Sequence, residues 1–277
     1  MTTLKVTSRD GTTLSCRVEG NGKGSPLLLI HGAGNYSGRW NPIFPLFEQD
    51  FSIYALDRRG RGESGDASEY SLEREFEDAV SVVDAIGRPV NVLGHSLGGI
   101  CALEAALRTK NILRLILYEP PLPLDGPLTP RGTVDRLEAL LKAGDREGVL
   151  TTVMLEVIRM PNKELEFLRN SPAWKERLAL AHTLPRELRA VDNYRFDAQR
   201  FRNLNTPTLL LLGGNSPPVF KASIQALAST LRHNRTVVLE GQQHIAMDTA
   251  PKLFAQEVRS FLKEDPGLRQ DVLHNGR

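Results

Sequence analysis

Cysteine is scarce: the 277 residues hold two, Cys16 and Cys101. That excludes a disulfide framework, and because neither belongs to a CxxC or Cys/His cluster it also argues against structural zinc. A reducing cytoplasm and no metal are therefore expected. Long apolar runs are missing as well. A stretch such as 209–212 falls far short of the ~20 residues that span a bilayer, and the opening Met1-Thr2-Thr3-Leu4-Lys5 carries no apolar signal core. No membrane association is expected. Nor is there an excess of one charge. Lys and Arg number 35 against 33 Asp and Glu, and the formal net charge of +2 is too weak a field to hold nucleic acid or anionic lipid. Internal repeats and low-complexity tracts are absent. What is present, 40% hydrophobic and 25% charged residues, is the composition of a folded globular chain.

Short apolar segments recur at 26–30, 51–56, 90–93, 112–118, 208–212 and 236–239, each the length of a buried strand and followed by a turn and a helical pattern. This is the rhythm of parallel β/α units. Ahead of them, 4–7 and 14–19 flank Asp10-Gly11, a two-residue hairpin signal, so an antiparallel ribbon is expected to open the fold. The reading is an α/β fold with an eight-stranded, mostly parallel sheet and crossover helices. One such helix is spaced over 72–86, with Leu72, Phe76, Ala79, Val80, Val83 and Ile86 on one face and Ser71 as its N-cap. Residues 121–200 break the rhythm. After the proline-rich 120–130, helical stretches at 131–144, 145–159, 162–169 and 172–183 have no strand among them, which predicts a helical insertion. A core made of 1–120 and 201–264 is thus expected around an insertion at 121–200, with 265–277 as a mobile tail.

Gly94-His95-Ser96-Leu97-Gly98 fits G-x-S-x-G, directly after the strand pattern 90–93 and directly before the helical run 99–107. A serine on so sharp a strand-to-helix turn is held in a strained backbone conformation, its hydroxyl above the strand ends. Ser96 is the expected nucleophile. The N–H of Leu97, at a helix N-terminus, is the expected oxyanion donor.

With these residues the chain resembles the α/β-hydrolase superfamily along nearly its whole length. His31-Gly32-Ala33-Gly34 resembles the superfamily's HG loop, which implies the N–H of Ala33 as a second oxyanion donor. Asp57-Arg58-Arg59-Gly60-Arg61-Gly62-Glu63-Ser64 is similar to its D-x-R-G-x-G-x-S turn, a mostly structural feature that is assigned no chemistry. The resemblance places the catalytic histidine at His244, between 236–239 and the helical pattern 251–262, where a neutral imidazole can take and return the Ser96 proton. It also implies that the helical insertion is a cap shaping the substrate pocket. Apolar residues there, Val153, Met154 and Trp174 among them, read as packing before pocket lining, and Trp40 reads in the same way.

The orienting acid departs from the common pattern. In most of the superfamily it follows the strand equivalent to 208–212, yet that loop reads Gly213-Gly214-Asn215-Ser216-Pro217-Pro218, and no Asp or Glu occurs from 198 to 239. Glu119, at the end of the preceding strand pattern, offers a carboxylate at another strand end. This resembles the haloalkane-dehalogenase-like branch, whose nucleophile is an Asp where this chain has Ser96, so ester chemistry is favoured over dehalogenation. Asn215 stands as an alternative orienter without charge, and Asp125, Asp192 and Asp197 lie outside the recognised strand ends. The expected activity is that of a cofactor-free serine hydrolase acting on a small to medium ester, thioester or lactone. C–C bond hydrolysis or perhydrolysis on the same residues is one alternative, and a ligand-binding protein that keeps the fold without useful turnover is another.

Overall fold

A computed structural model of the chain describes residues 2–20 and 22–264; the tail expected at 265–277 lies outside them. Its strands are β1 (Thr2–Thr7), β2 (Thr13–Glu19), β3 (Ser25–Ile30), β4 (Phe51–Asp57), β5 (Val90–His95), β6 (Ile112–Tyr118), β7 (Thr208–Gly213) and β8 (Asn234–Leu239). They form one sheet in the order β1-β2-β4-β3-β5-β6-β7-β8. β2 pairs antiparallel with β1 and β4, and every pairing from β4 to β8 is parallel. The central strands are apolar on both faces because helices cover both, whereas β8, at the edge, alternates in burial. The opening ribbon differs from the two-residue hairpin that Asp10-Gly11 predicts. Ser8 N–H donates to Thr12 O at 2.8 Å, so the turn has three residues, Arg9-Asp10-Gly11, and Gly11 takes the left-handed position with φ +87°.

Helices α1 (Leu72–Ala85) and α2 (Leu97–Ala106) pack on one face of the sheet. The Ser71 hydroxyl caps α1 by accepting from Arg74 N–H. All ten residues of α2 are buried, which an amphipathic template cannot anticipate. Trp40, Phe47 and the C-terminal helix cover the other face. In the insertion, α3 (Thr133–Lys142), α4 (Arg146–Thr152), α5 (Asn162–Arg169), α6 (Ala173–Leu180) and α7 (Leu184–Asp192) gather around an apolar cluster that includes Val149, Leu150, Trp174, Leu184 and Ile245. Helix α7 falls outside the predicted helical stretches, which end at 183. Its Pro185 sits in the first helical turn, where a missing N–H costs nothing. The remaining major helices are α8 (Pro218–Thr230) and α9 (Pro251–Lys263).

The Asp57–Ser64 turn is a buried ionic hub. Arg58 pairs with Glu75 of α1 at 2.6 Å and with Glu187 of α7 at 3.0 Å, Arg61 lies 2.5 Å from Glu187, and Arg59 pairs with Asp78 at 2.7 Å. Glu75 and Asp78 therefore occupy the buried face of α1 beside its apolar residues. Burial pushes the Glu187 carboxyl up, and the Arg61 and Arg58 charges outweigh it, bringing it down to about 2. Glu187 also accepts from Gly34 N–H at 2.9 Å, tying the insertion to the loop after β3.

Candidate active site

Ser96 joins β5 to α2 with φ +54° and ψ −126°, and its own N–H is held by Tyr118 O at 2.9 Å. The turn closes only because its neighbours lack side chains: a Cβ at Gly98 would lie 2.2 Å from Ile30 O, and one at Gly32 would lie 2.9 Å from Ser96 Cβ. Among the described residues three other than glycine have positive φ, namely Ser96, Glu119 and Arg159. Each such position costs on the order of 1–3 kcal/mol and persists only where surrounding packing enforces it. Ser96 and Arg159 line one cavity, and Glu119 bonds a third residue of its wall, His244.

His244 follows β8, its side chain almost wholly buried. Its Nδ1 lies 2.6 Å from Glu119 Oε2, while Glu119 Oε1 accepts from Gly213 N–H at 2.7 Å. The Glu119 carboxylate is fully buried, so its charge acts through a poorly screening medium. Three neighbours fix the histidine. The Phe220 ring stacks on it with centroids 4.2 Å apart, the Tyr118 hydroxyl donates to Gln243 O and accepts from Ala246 N–H at 3.1 Å, and His95 Nε2 bonds His244 O at 2.9 Å. Burial, helped by His244 and Arg39, holds His95 well below the usual histidine range, which makes it a neutral Nε2–H donor. His31 is likewise held low, by burial and Arg58, and its ring bridges Gly32 O and Arg58 N–H.

Ser96, His244, Ala33 and Leu97 line a single cavity of about 190 Å³. Leu97 is the first residue of α2, so its N–H has no intrahelical acceptor. The Ala33 loop is braced on both sides, by Asn35 Nδ2 on Ala33 O and by Glu187 on Gly34 N–H, each at 2.9 Å. The opposite wall comes from the insertion: Leu150, Val153, Met154, Val157 and Ile158 from α4 and the π-helical turn after it, then Leu184, Leu188 and Val191 from α7. Its polar groups are Arg159, Asp192 and Thr129, whose Oγ1 is buried without a partner.

The other candidates fall elsewhere. Asn215 is exposed and bonds Gln242 O through its backbone N–H, while His244 Nδ1 bonds Glu119. Asp125 is exposed, Asp192 accepts from Leu128 and Thr129 N–H, and Asp197 caps a short helical turn through Gln199 N–H. Trp40 is in the core, edge-on to His95, and Trp174 in the core of the insertion. Sequence reading passes over His95, Tyr118, Phe220 and Glu187. The first two carry a signal only in hindsight, as immediate neighbours of Ser96 and Glu119. Among the described residues no group of three or more His, Cys, Asp or Glu is placed to hold a metal ion, and no helix is long and apolar enough to cross a membrane.

A family model described as the alpha/beta hydrolase family matches residues 27–257. The crystal structure of an alpha/beta hydrolase from Sphaerobacter thermophilus superimposes with a TM-score of 0.81 at 35% identity, covering 94% of this chain and 100% of that one. An (E)-2-((N-methylformamido)methylene)succinate hydrolase of Acinetobacter baylyi is 22% identical over 88% of this chain and 93% of its own length. A 3-oxoadipate enol-lactonase of the same organism is 20% identical over 94% and 97%.

Proposed function

The chain belongs to the alpha/beta hydrolase family, and on that premise we propose that it is a cofactor-free serine hydrolase cleaving a small carboxylic ester, thioester or lactone through an acyl-enzyme on Ser96. The observation that carries the reading is the buried Glu119–His244 pair, closed at 2.6 Å, opening on the same cavity wall as the strained Ser96. Ser96 Oγ attacks the acyl carbon while its proton passes to His244 Nε2. The Glu119 carboxylate holds Nδ1–H, sets the tautomer and offsets the charge of the imidazolium. The N–H groups of Leu97 and Ala33 donate to the oxyanion, fixed in place before charge develops there. His244 returns the proton to the departing oxygen or sulfur. A water then gives its proton to His244 and attacks the acyl carbon, which frees the acid and restores Ser96.

Helices α3 to α7 act in this reading as a cap that sets substrate choice. The apolar wall fits a short acyl chain, and Arg159 with the unpartnered Thr129 hydroxyl favours one that ends in a polar or anionic group. Both cysteines are free and buried, with thiols pushed up by burial, which suits a reducing cytoplasm. The test is turnover of p-nitrophenyl butyrate, δ-valerolactone and an N-formyl amide, with intact-mass analysis of rapidly quenched reactions. Ester or lactone cleavage, an acylated chain, and a loss of at least about 10³-fold in Ser96→Ala are expected. Turnover that survives Ser96→Ala, or that is confined to the amide, would overturn the reading.

A further inference from the structure

A second cavity of about 270 Å³ lies between the turn at Ser37–Trp40 and helices α5 and α6, and it shares no lining residue with the first. Its basic groups are two arginines, both buried. Arg39 is committed: it is paired with Asp248 and donates to Met247 Sδ at 2.7 Å. Arg177 is 2% exposed, and among the described residues it makes no hydrogen bond or ion pair, its Nε being buried with nothing to donate to. The acids on this wall are Asp248, already taken by Arg39, and Glu176, exposed at the rim. The wall also holds Tyr36, which folds over Gly38 where any side chain would collide with its ring, and Phe167, half of whose surface is exposed.

A guanidinium cannot shed its charge to escape burial as a lysine can. Burial and the neighbouring Arg39 lower Arg177 only to about 10, so it stays charged at neutral pH with its donors unmet. Buried charges are ordinarily paired, and an exposed aromatic ring beside a cavity with an unmet cation is a place for an apolar group carrying an anion. We propose that this cavity binds a small molecule with a carboxylate or phosphate head taken by Arg177, beside Arg39, and an apolar body packed on Phe167 and Tyr36. The planar fork of Arg177 suits either oxyanion, in bidentate fashion. Such a site is independent of Ser96 and of the reaction assigned to it.

The test is titration calorimetry of the full chain at constant ionic strength with sodium acetate, sodium benzoate and inorganic phosphate, each to 10 mM. One-to-one binding of benzoate or phosphate is expected, weakened at least tenfold in Arg177→Met. Benzoate binding should exceed acetate binding and fall in Phe167→Ala, a change at a half-exposed position that leaves the core intact. If phosphate is bound and benzoate is not, the head is a phosphate. With the uncompensated charge gone, Arg177→Met should melt at or above the wild-type temperature. No heat with any of the three anions, binding undiminished in Arg177→Met, or an Arg177→Met chain that fails to fold would each overturn the proposal.

Discussion

His95 Nε2 donates to the main-chain carbonyl of His244 at 2.9 Å, so the residue before Ser96 grips the backbone of a residue 149 positions later. The two rings lie 4.6 Å apart, and His95 stays neutral because burial holds it well below the usual range. The strand-to-helix turn therefore sets the position of the histidine as well as that of the serine.

From this follows the behaviour of His95→Phe, which keeps a buried ring but loses the bond. A displacement of about 1 Å in a reacting group costs on the order of 10²-fold. The variant should fold and bind substrate with a similar KM, and kcat should fall about 10- to 100-fold. Steady-state kinetics on the ester panel checks this, and an unchanged kcat would mean the loop is held by other contacts.

Tyr118→Phe removes the hydroxyl that bonds Gln243 O and Ala246 N–H on either side of His244. The buried Ala246 N–H and the half-buried Gln243 carbonyl lose a partner, so a destabilisation of about 1–3 kcal/mol is expected by denaturant unfolding. The kcat should fall with it.

Glu187 compensates Arg58 and Arg61 from the insertion side. Breaking a buried pair by removing one partner costs about 3–5 kcal/mol, and Glu187→Gln should lose stability on that scale while loosening the loop that carries Ala33. The folded-state value near 2 lies below that of an unfolded glutamate, about 4.3, so the stabilisation from this carboxylate is complete above the unfolded value and fades as pH falls toward 2. Wild-type unfolding free energy should drop across that window, and that of Glu187→Gln should drop less steeply.

Arg159 combines an exposed charge on the cavity wall with φ +58°. Arg159→Gly relieves the left-handed strain and removes the cation. The variant should be no less stable than wild type, and KM should rise for esters whose acyl chain ends in a carboxylate while remaining unchanged for neutral ones. An equal rise for both would assign Arg159 a packing role.

The sheet is legible in the sequence because each central strand is a short apolar run buried on both faces, such as Leu27 to Ile30. A nearby turn marks each one. The opening ribbon is legible except for its turn, where the Ser8–Thr12 bond encloses one more residue in the loop than Asp10-Gly11 implies. Helix α7 lies beyond the predicted helical stretches, which end at 183, and the acidic side of α1 is hidden by an apolar periodicity that has no place for the buried Glu75 and Asp78. Ser96 carries a motif, and Glu119 stands out by its place at the end of a strand pattern together with the resemblance to a branch of the superfamily whose acid sits there, since the usual loop within 198–239 holds no acid. The groups that steady His244 are specified by no motif in the sequence. Tyr118, Phe220 and His95 meet it only through contacts between distant segments, in which spacing along the chain plays no part.

The central claim is an activated Ser96 oriented through His244 by Glu119. Its most direct test is labelling with a fluorophosphonate probe, followed by peptide mapping, on wild type, Glu119→Ala and Asn215→Ala. A wild-type adduct on Ser96, labelling slowed at least about 10²-fold in Glu119→Ala, and labelling within a few-fold of wild type in Asn215→Ala are expected. An adduct elsewhere, no adduct on folded wild type, or a Glu119→Ala chain that labels as fast as wild type would contradict the account.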